Sequence, residues 1–597
     1  MKLRRQFLIN APLGLLAVAT SSRAALAEQN PPIPGAPPTF GATAAVGPEV
    51  TATTFAEAEK LMQVSMTPAE REMAANSWRV SMASSLERRT GPRKLALEAD
   101  ISPATVWNPA FVSSKKLSTH NKFIRTHTKT TPLPKRDEDI AYAPVSQLSR
   151  WIESKQLSSM RLTQIYLDRI QRLDPQLRSV ITLTREHALA RAKQADAEIA
   201  AGKYRGPLHG IPYGVKDLLD TAGIATTWGA EPFKDRIPSK DATVITRLNE
   251  AGAVMIAKLS LGALALNDIW FGGQTMNPWL LEEGASGSSA GPGAATAAAL
   301  VAFSIGSETG GSIVSPSMRC GVTGLRPTYG RVPRTGAMTL CWSLDKLGPM
   351  TRSVEDAMLV LNAISGPDQI DVACVPSTLD FDANASVRGL KVGYIPEWMS
   401  DSGATAVDRA ALDAVKKLGM IPTPVSLPDW PYSSLNVVLF AEAAAAFEEI
   451  TLDARVNQLK AQVPDAWPNL FREARFLSAV DFVQSDRLRR KVAIEMARIM
   501  KEVDLLLVPS LRDEMLTISN FTGHPSLTLK TGSVDISETR SDWAPDPKNP
   551  PIKFVAPRKV PYGVTLIGRL FDEATIARVG LALEKHFSVA GERPPGF

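Results

Sequence analysis

Short apolar runs alternate along the chain with segments in which apolar residues recur at helical spacing. The runs are five or six residues long, which is typical of strands that are buried on both faces. The helical segments between them include residues 353–364 and 572–586. This alternation predicts an α/β fold with a buried, largely parallel or mixed sheet. The predicted strands are residues 210–215, 253–257, 300–305, 390–395, 504–508 and 562–567.

The first 27 residues have the pattern of an export signal. Arg4 and Arg5 lie in a basic start, a mild apolar run covers residues 7–20, and residues 25–27 (Ala-Leu-Ala) offer a small-residue cleavage site. The run is too short to cross a bilayer as a helix. Adjacent arginines before such a run are typical of the twin-arginine route, which exports folded proteins. We therefore predict a signal peptide over residues 1–27 and a periplasmic or secreted protein without stable membrane insertion.

Residues 28–142 are predicted to be a linker and a helical extension, followed by one large domain over residues 143–597. Residues 28–53 are rich in Pro, Ala, Gly and Thr, which is typical of a disordered linker. Thr67, Pro68 and Glu70 form a helix start, with threonine as the cap and proline at the first helical position. We predict two helices within residues 55–90.

Inside the large domain, the apolar positions between residues 162 and 173 fall on one helical face, and Pro175 is predicted to end that helix. A second helix is predicted over residues 186–201, with Gly202 as its C-terminal cap. Residues 400–500 are helix-rich. Residues 533–560 are polar and contain prolines, which favours a long functional or mobile loop.

Composition and charge narrow the possible functions. With 44% hydrophobic and 21% charged residues, the chain has an ordinary globular composition. Removal of residues 1–27 leaves 63 basic against 61 acidic side chains. This near-neutral balance, without a concentrated basic patch, argues against nucleic-acid binding. The cysteines Cys320, Cys341 and Cys374 allow at most one disulfide and do not have metal-ligand spacing.

The candidate chemistry is concentrated in residues 284–330. Ser286, Ser288 and Ser289 lie among glycines, and residues 309–312 form a second small-residue turn, Thr-Gly-Gly-Ser. Glycine-rich turns let backbone N–H groups converge, because a chain without a Cβ approaches a ligand closely. A serine at the end of such a turn is a candidate nucleophile whose loop stabilises an oxyanion, provided that a base lies nearby. Taken alone, however, such a stretch is more often a loop without chemistry.

Two further blocks accompany this stretch. Residues 206–217 read GPLHGIPYGVKD, in which Lys216 ends an apolar run, and residues 343–350 read SLDKLGPM. The three blocks, in this order, resemble those of the amidase signature family of serine hydrolases, and the resemblance extends from about residue 143 to about residue 587. It implies one large twisted sheet covered by helices on both faces, and an amidase catalytic domain over residues 143–597.

The resemblance also implies the roles of the site residues. Ser312 would be the nucleophile, Ser288 a bridging serine that follows a cis peptide bond, and Lys216 the base. A lysine in a poorly solvated position has a lowered pKa, which makes it a usable base. The implied oxyanion hole consists of the backbone N–H groups of Thr309, Gly310, Gly311 and Ser312. The supporting residues would be Gly287, Ser289 and Asp217.

The implied substrate is a small carboxylic amide, with esters or carbamates as side activities, and neither a metal nor an organic cofactor is implied. One branch of the family is an amidotransferase subunit whose partner acts on charged transfer RNA. An export signal would separate this chain from that partner. We therefore predict a stand-alone hydrolase that is a monomer or a homodimer.

A different serine chemistry stays open as an alternative. Residues 287–291 also fit G-x-S-x-G, the nucleophile elbow of α/β-hydrolases, which would make Ser289 the nucleophile of an esterase. The histidine of such a triad would have to be His524 or His586, since no other histidine follows. Residues 277–284 do not have the pattern of the core strand that this motif requires.

The chain also departs from the family pattern. Glu308 and Val314 stand where aspartate and arginine are commonest, so Glu308 lacks its usual cationic neighbour. We predict that Arg319 takes that place. These departures put the shape of the acyl pocket in doubt and leave a non-catalytic amide-binding protein as a further alternative.

Overall fold

The computed structural model describes residues 33–40, 43–105, 108–109, 112–113, 119–126, 130–589 and 591–597. The signal predicted over residues 1–27 lies outside these residues, so the export pathway stays a prediction. Within the described ranges, no helix combines the length and the apolar character that crossing a bilayer requires.

Within the described part of the chain, a mixed sheet of eleven strands forms the centre of the molecule. Numbered along the chain as β1–β11, the strands stand in the spatial order 8-7-9-11-10-5-6-4-2-3-1. The strands are β1 Val180–Leu183, β2 Pro212–Lys216, β3 Val254–Leu259, β4 Phe303–Glu308, β5 Thr323–Arg326, β6 Lys346–Thr351, β7 Lys391–Tyr394, β8 Ile421–Pro424, β9 Leu505–Pro509, β10 Ser526–Glu538 and β11 Lys553–Gly568.

Both faces of the sheet interior are covered. Every residue of β2, β3, β4, β5, β6 and β9 is buried. Because successive side chains of a strand point to opposite faces, complete burial requires cover on both sides. The strand β2 pairs in parallel with β3 and β4, whereas β4, β6, β5 and β10 pair with one another antiparallel. The predicted α/β fold with a mixed sheet is confirmed.

The helices begin in the N-terminal extension and continue to the end of the chain. They are α1 Ala52–Met62, α2 Pro68–Ser81, α3 Ser85–Arg89, α4 Asp137–Tyr142, α5 Val145–Glu153, α6 Ser159–Leu177, α7 Arg185–Ala200, α8 Thr243–Glu250, α9 Ala290–Ala297, α10 Val314–Cys320, α11 Val354–Ile364, α12 Pro396–Ser400, α13 Ala406–Lys417, α14 Asn436–Ala446, α15 Glu448–Leu452, α16 Trp467–Ala474, α17 Ala479–Glu502, α18 Asp513–Phe521 and α19 Glu573–Phe587. Short 3₁₀ turns lie at Glu231–Phe233, Ala263–Ala265, Tyr432–Leu435 and Arg455–Gln458. Short strands outside the main sheet lie at Lys122–Ile124, Ile269–Trp270, Gly273–Gln274, Met276–Asn277, Leu280–Gly284 and Asp380–Asp382.

Two helix predictions were wrong, one for the end of a helix and one for a number of helices. Helix α6 continues through Pro175 and ends at Leu177, where Arg178 adopts a left-handed conformation. A proline in the last turn of a helix removes only its own N–H bond, and the Asp174 carboxylate accepts the N–H groups of Ser179 and Val180 beyond the helix end. Residues 55–90 contain parts of three helices rather than two, because a short third helix follows α2.

The loop predicted over residues 533–560 is mostly strand. Strands β10 and β11 form a long antiparallel hairpin, and only residues 539–552 connect them. The outer part of this hairpin is mostly exposed on β11 and half-buried on β10, so its sequence is polar although its backbone is paired. Two register shifts interrupt the pairing, which further weakens the alternating pattern. Polarity therefore indicated exposure here, and not a loop.

The N-terminal extension packs against the large domain. Thr67 caps α2 through a complete capping box with Glu70, as predicted. On the buried side of α2, the hydroxyl groups of Ser77 and Ser81 donate to the carboxyl of Glu473 on α16. These contacts join the extension to α16, the helix that begins at Trp467.

Candidate active site

The predicted site forms where two parallel strands end at the same edge of the sheet. Lys216 is the last residue of β2, Glu308 is the last residue of β4, and Val215 pairs with Ile305. The chain leaves β4 through residues 309–312 and enters α10. Crevices at the carboxyl ends of parallel strands are common ligand sites in α/β proteins, because the chain must turn there and side chains from several loops converge.

Lys216 is fully buried and contacts two serines. Its Nζ donates to Ser288 Oγ at 2.8 Å and to Ser307 Oγ at 2.9 Å. Burial lowers the pKa of Lys216 well below its ordinary value of 10.5, although the charges of Asp345 and Glu308 oppose that shift. Among the described residues, no carboxylate forms an ion pair with this ammonium group. The environment therefore favours a neutral amine.

Ser288 follows a cis peptide bond, the one between Gly287 and Ser288, as the resemblance implies. The preceding residues are held by Asp542, whose Oδ2 accepts the Ser286 hydroxyl at 2.6 Å and the Gly287 N–H at 3.0 Å. A Cβ at Gly287 would lie 1.8 Å from the carbonyl oxygen of Asn267, so only glycine fits this supporting position.

Ser289 uses its hydroxyl on the backbone. Its Oγ accepts the N–H of Ser307 at 3.2 Å and donates to the carbonyl of the same residue at 3.1 Å, while its own N–H donates to the Ser312 carbonyl at 3.1 Å. Ser289 therefore links the start of α9 to the end of β4 and to the turn that carries Ser312. This geometry fits the supporting position predicted for it.

The elbow alternative does not fit the described structure. The strand before Ser289, Leu280–Gly284, pairs with Met276–Asn277 in a separate hairpin and not with the main sheet. His524 is fully buried, its Nδ1 lies 2.7 Å from the Thr522 hydroxyl, and burial lowers its pKa to about 3. Neither His524 nor His586 has a hydrogen bond to Ser289 among the described contacts.

Ser312 lies on the wall of a cavity of about 260 Å³, together with Thr309, Gly310 and Gly311. Its side chain is half-buried and its hydroxyl makes no hydrogen bond within the described part of the chain. Gly311 has φ +135°, a conformation that favours glycine. The Thr309 hydroxyl donates to Asp345 Oδ1 at 2.6 Å, which fixes the start of the turn. Within the described ranges, the N–H groups of Gly310, Gly311 and Ser312 have no acceptor.

Glu308 organises the end of this turn. Its Oε2 accepts the N–H groups of Ile313 and Val314, at 2.7 and 2.9 Å. Its Oε1 accepts Arg326 Nη1 at 2.6 Å and Asn520 Nδ2 at 2.9 Å. Burial alone would raise the pKa of Glu308, but the charge and hydrogen bond of Arg326 outweigh it and lower that pKa.

The predicted pairing of Glu308 with Arg319 is therefore wrong. Arg326, the last residue of β5, is the cation that contacts Glu308, because β5 lies two strands from β4 in the sheet. Arg319 donates instead to Asp542 Oδ1 at 3.0 Å and to the carbonyl of Gly284 at 3.1 Å. It thus holds Asp542 in place beneath the Gly287–Ser288 peptide.

Asp217 supports the segment that follows Lys216. Its Oδ2 accepts the N–H and the hydroxyl of Thr227, at 2.8 and 2.5 Å, and its Oδ1 lies 3.4 Å from Lys258 Nζ. All three side chains are buried. Asp217 therefore anchors a neighbouring loop to the end of β2 and does not contact the serines through any described hydrogen bond.

Sequence reasoning missed three residues that contact the site. Ser307 and Asp345 lie inside the sequence blocks that indicated the site, but no pattern in these blocks predicted that Ser307 contacts Lys216 or that Asp345 contacts Thr309. Asp542 lies in the connection between β10 and β11, far along the chain from Ser288, and no local sequence signal points to it. Within the described residues, no group of His, Cys, Asp or Glu is arranged to hold a metal ion, and the three cysteines are unpaired.

Comparison with known proteins identifies the family of this chain. The family model described as Amidase matches residues 161–577. A glutamyl-tRNA(Gln) amidotransferase subunit of Carboxydothermus hydrogenoformans is 33% identical over 492 residues, which cover 76% of this chain and 99% of that protein. The native peptide amidase from Stenotrophomonas maltophilia superposes with a TM-score of 0.64 at 29% identity, covering 76% of this chain and 98% of that one. An amidase family protein from Bacillus anthracis has a TM-score of 0.64 at 26% identity, covering 77% and 94%. The chain belongs to the amidase family, and its activity is the hydrolysis of amide C–N bonds.

Proposed function

We propose that this protein is a stand-alone amidase that hydrolyses small carboxylic amides through an acyl-enzyme on Ser312. Lys216, Ser288 and Ser312 act as a proton-transfer chain. Esters and carbamates are plausible further substrates, since their hydrolysis passes through the same kind of tetrahedral intermediate. The reaction as proposed uses no metal or organic cofactor.

In the first step, the neutral Lys216 amine takes the proton of Ser288 while Ser288 takes the proton of Ser312. The Ser312 oxygen then bonds to the carbonyl carbon, and the carbonyl oxygen becomes an oxyanion. The N–H groups of the turn, those of Thr309, Gly310, Gly311 and Ser312, stabilise that negative charge as preorganised donors. The hydrogen bond that Lys216 donates to Ser307 holds the amine within hydrogen-bond distance of Ser288 Oγ.

In the second step, Ser288 passes a proton to the leaving nitrogen and takes one back from the Lys216 ammonium. The oxyanion then re-forms the carbonyl, and the C–N bond breaks to release the amine. Water then attacks the acyl-enzyme, with the same chain accepting its proton through Ser288. The carboxylic acid leaves and Ser312 recovers its proton. A hydroxyl can donate and accept at the same time, which suits Ser288 for relaying protons in both directions.

The observation that carries this proposal is the contact of 2.8 Å between a fully buried lysine and Ser288 Oγ. Desolvation without a paired carboxylate lowers the pKa of Lys216 and so favours the neutral amine that a general base requires. The half-exposed Ser312 on the cavity wall supports its role as nucleophile.

The relative named as an amidotransferase subunit raises the possibility of a partner. We propose that this chain acts without one, as a monomer or homodimer, and that it does not bind nucleic acid. The near-neutral charge of the chain after residue 27 supports this view. Turnover of a simple amide by the purified chain alone would distinguish the two possibilities, because a dependent subunit would need its partner.

A covalent label tests the proposed nucleophile. A fluorophosphonate should attach to Ser312, located by peptide mass spectrometry, and Ser312→Ala should abolish both labelling and turnover of a panel of aryl and alkyl amides. Ser289→Ala should keep measurable labelling at Ser312, because its hydroxyl only supports the backbone. Attachment of the label to Ser289 in the parent protein would contradict the proposal and favour the elbow chemistry.

We further propose export by the twin-arginine route, which the residue pattern at positions 1–27 supports. Replacement of Arg4 and Arg5 by lysine should retain the precursor in the cytoplasm of a bacterium that has this pathway. Fractionation followed by immunoblotting measures the outcome. Undiminished export of the double variant would exclude this route.

A further inference from the structure

The N-terminal extension reaches the active-site cavity through residues 33–40, here called the strap. At one end, Ile33 packs against a cluster of Leu280, Ile536 and Val560, which joins the strap to the β10–β11 hairpin. At the other end, Phe40 reaches the helices α14 and α16. The strap was expected to belong to a disordered linker, but in the structure it runs along the cavity wall, where residues 37–40 contribute to the lining.

Phe40 lies between aromatic side chains and the turn that carries Ser312. Its ring meets Phe440 edge-to-face, with centroids 6.0 Å apart, and Trp467 in the same manner, with centroids 5.6 Å apart. On its other side, a Cβ added to Gly310 would lie 3.5 Å from Phe40 Cε2, an ordinary van der Waals distance. The ring therefore fills the space between Gly310 and α16.

The cavity that Phe40 lines is the one that must hold the acyl group. In an acyl-enzyme, the acyl carbon is bonded to Ser312 Oγ, so the acyl chain occupies a cavity that Ser312 itself lines. The cavity of about 260 Å³ includes both Ser312 and Phe40 in its wall. A neighbouring cavity of about 370 Å³ is lined by Ser307 and Asp345 but not by Ser312.

We propose that Phe40 sets the upper size of the acyl group that this amidase accepts. The inference rests on the proposed acyl-serine at Ser312. Phe40 lies outside residues 161–577, the part that the family model matches, so this limit on substrate size comes from the chain's own extension. Removal of the ring would open a space roughly the size of a benzene molecule beside Gly310.

Selectivity within one series of substrates tests this proposal. The series consists of p-nitroanilides with acetyl, hexanoyl and phenylacetyl groups, which share the amine and differ only in the acyl part. In Phe40→Ala, the ratio of kcat/KM for the bulky substrates to kcat/KM for the acetyl substrate should rise by about 10- to 100-fold, which lies within the range that one methylene group is worth in a hydrophobic pocket. Phe40→Trp should lower the same ratio.

A matched control is available in the same extension. Phe55 is buried against Trp78 and Phe476 and does not line the cavity. Phe55→Ala therefore removes an equally large ring from the extension, and we expect the ratio to stay within about twofold of the parent value. This control separates loss of stability in the extension from a change of the cavity wall.

The outcomes distinguish this inference from the proposed function. If Ser312 is labelled by the fluorophosphonate but Phe40→Ala and Phe40→Trp both leave the ratio unchanged, the inference is refuted and the proposed function stands. If Ser312 is not labelled in the parent protein, the proposed function fails and the inference fails with it. If Phe40→Ala does not fold, Phe40→Trp decides the question. A lower kcat/KM ratio of bulky to acetyl substrates in Phe40→Trp supports the inference, and an equal or higher ratio refutes it.

Discussion

Removal of the Lys216 amine is the sharpest test of the proposed chemistry. In Lys216→Ala, Ser288 loses its proton acceptor, and no other base among the described residues contacts it. A positioned general base contributes about 10²- to 10⁴-fold, and a base and nucleophile that act as one unit contribute up to about 10⁶-fold. We therefore expect kcat for a good amide substrate to fall by at least about 10⁴-fold, which is about 5 kcal/mol of transition-state stabilisation.

The pH dependence follows from the same environment. Because burial lowers the pKa of Lys216, and the neutral amine is the active form, kcat/KM should rise as pH passes upward through this lowered pKa and then stay constant. The rise should not depend on a histidine. Ser288→Ala should lose less activity than Lys216→Ala, because a water molecule partly replaces a bridging hydroxyl.

Steady-state kinetics on an aryl amide measure these effects, and Lys258 provides the matched control. Lys258 is as buried as Lys216, but its Nζ lies 3.4 Å from Asp217. Lys258→Met should change the free energy of unfolding. It should leave unchanged the pH at which kcat/KM rises. The variant that combines Lys216→Ala with Ser312→Ala should be scarcely worse than either alone. A Lys216→Ala enzyme that retained kcat within about tenfold of the parent would refute this mechanism.

Two further predictions concern residues that hold the site and the extension. Asp542→Asn leaves one oxygen to accept hydrogen bonds from both Arg319 and the Gly287 N–H, so Ser288 should be misplaced. We expect kcat to fall by about 10- to 100-fold and KM to change little. Equal kcat in the parent and the variant would exclude a positioning role for Asp542. Burial raises the pKa of Glu473 from 4.5 to about 8, so the folded state retains a proton that the unfolded state releases between these values. The free energy of unfolding should therefore decrease as pH rises across this window, by up to about 5 kcal/mol. Urea unfolding at pH about 5 and about 9 measures this decrease, which Glu473→Gln should remove. If the parent and the variant differed in free energy of unfolding by the same amount at both pH values, the raised pKa of Glu473 would be contradicted.

Much of the fold and the core of the site could be predicted because the signals are local. The apolar runs are short, and consecutive apolar residues indicate burial directly. These runs form β2, β3, β4, β7, β9 and the inner part of β11. Lys216, Ser288 and Ser312 lie in blocks whose glycines define turns over a few positions. The contact between Lys216 and Ser307 then follows once β2 and β4 are neighbours.

The tertiary structure alone decided which distant residues complete the site. Arg326 rather than Arg319 contacts Glu308, because the sheet order places β5 near β4, and Arg319 on α10 contacts Asp542 instead. Phe40 and Asp542 come from opposite ends of the chain and meet at one cavity. Such contacts depend on how whole helices and strands pack together, which no short stretch of the sequence determines. Local periodicity therefore determined most of the elements, and short sequence blocks indicated the candidate site residues, whereas long-range packing determined the partners of these residues and the wall of the pocket.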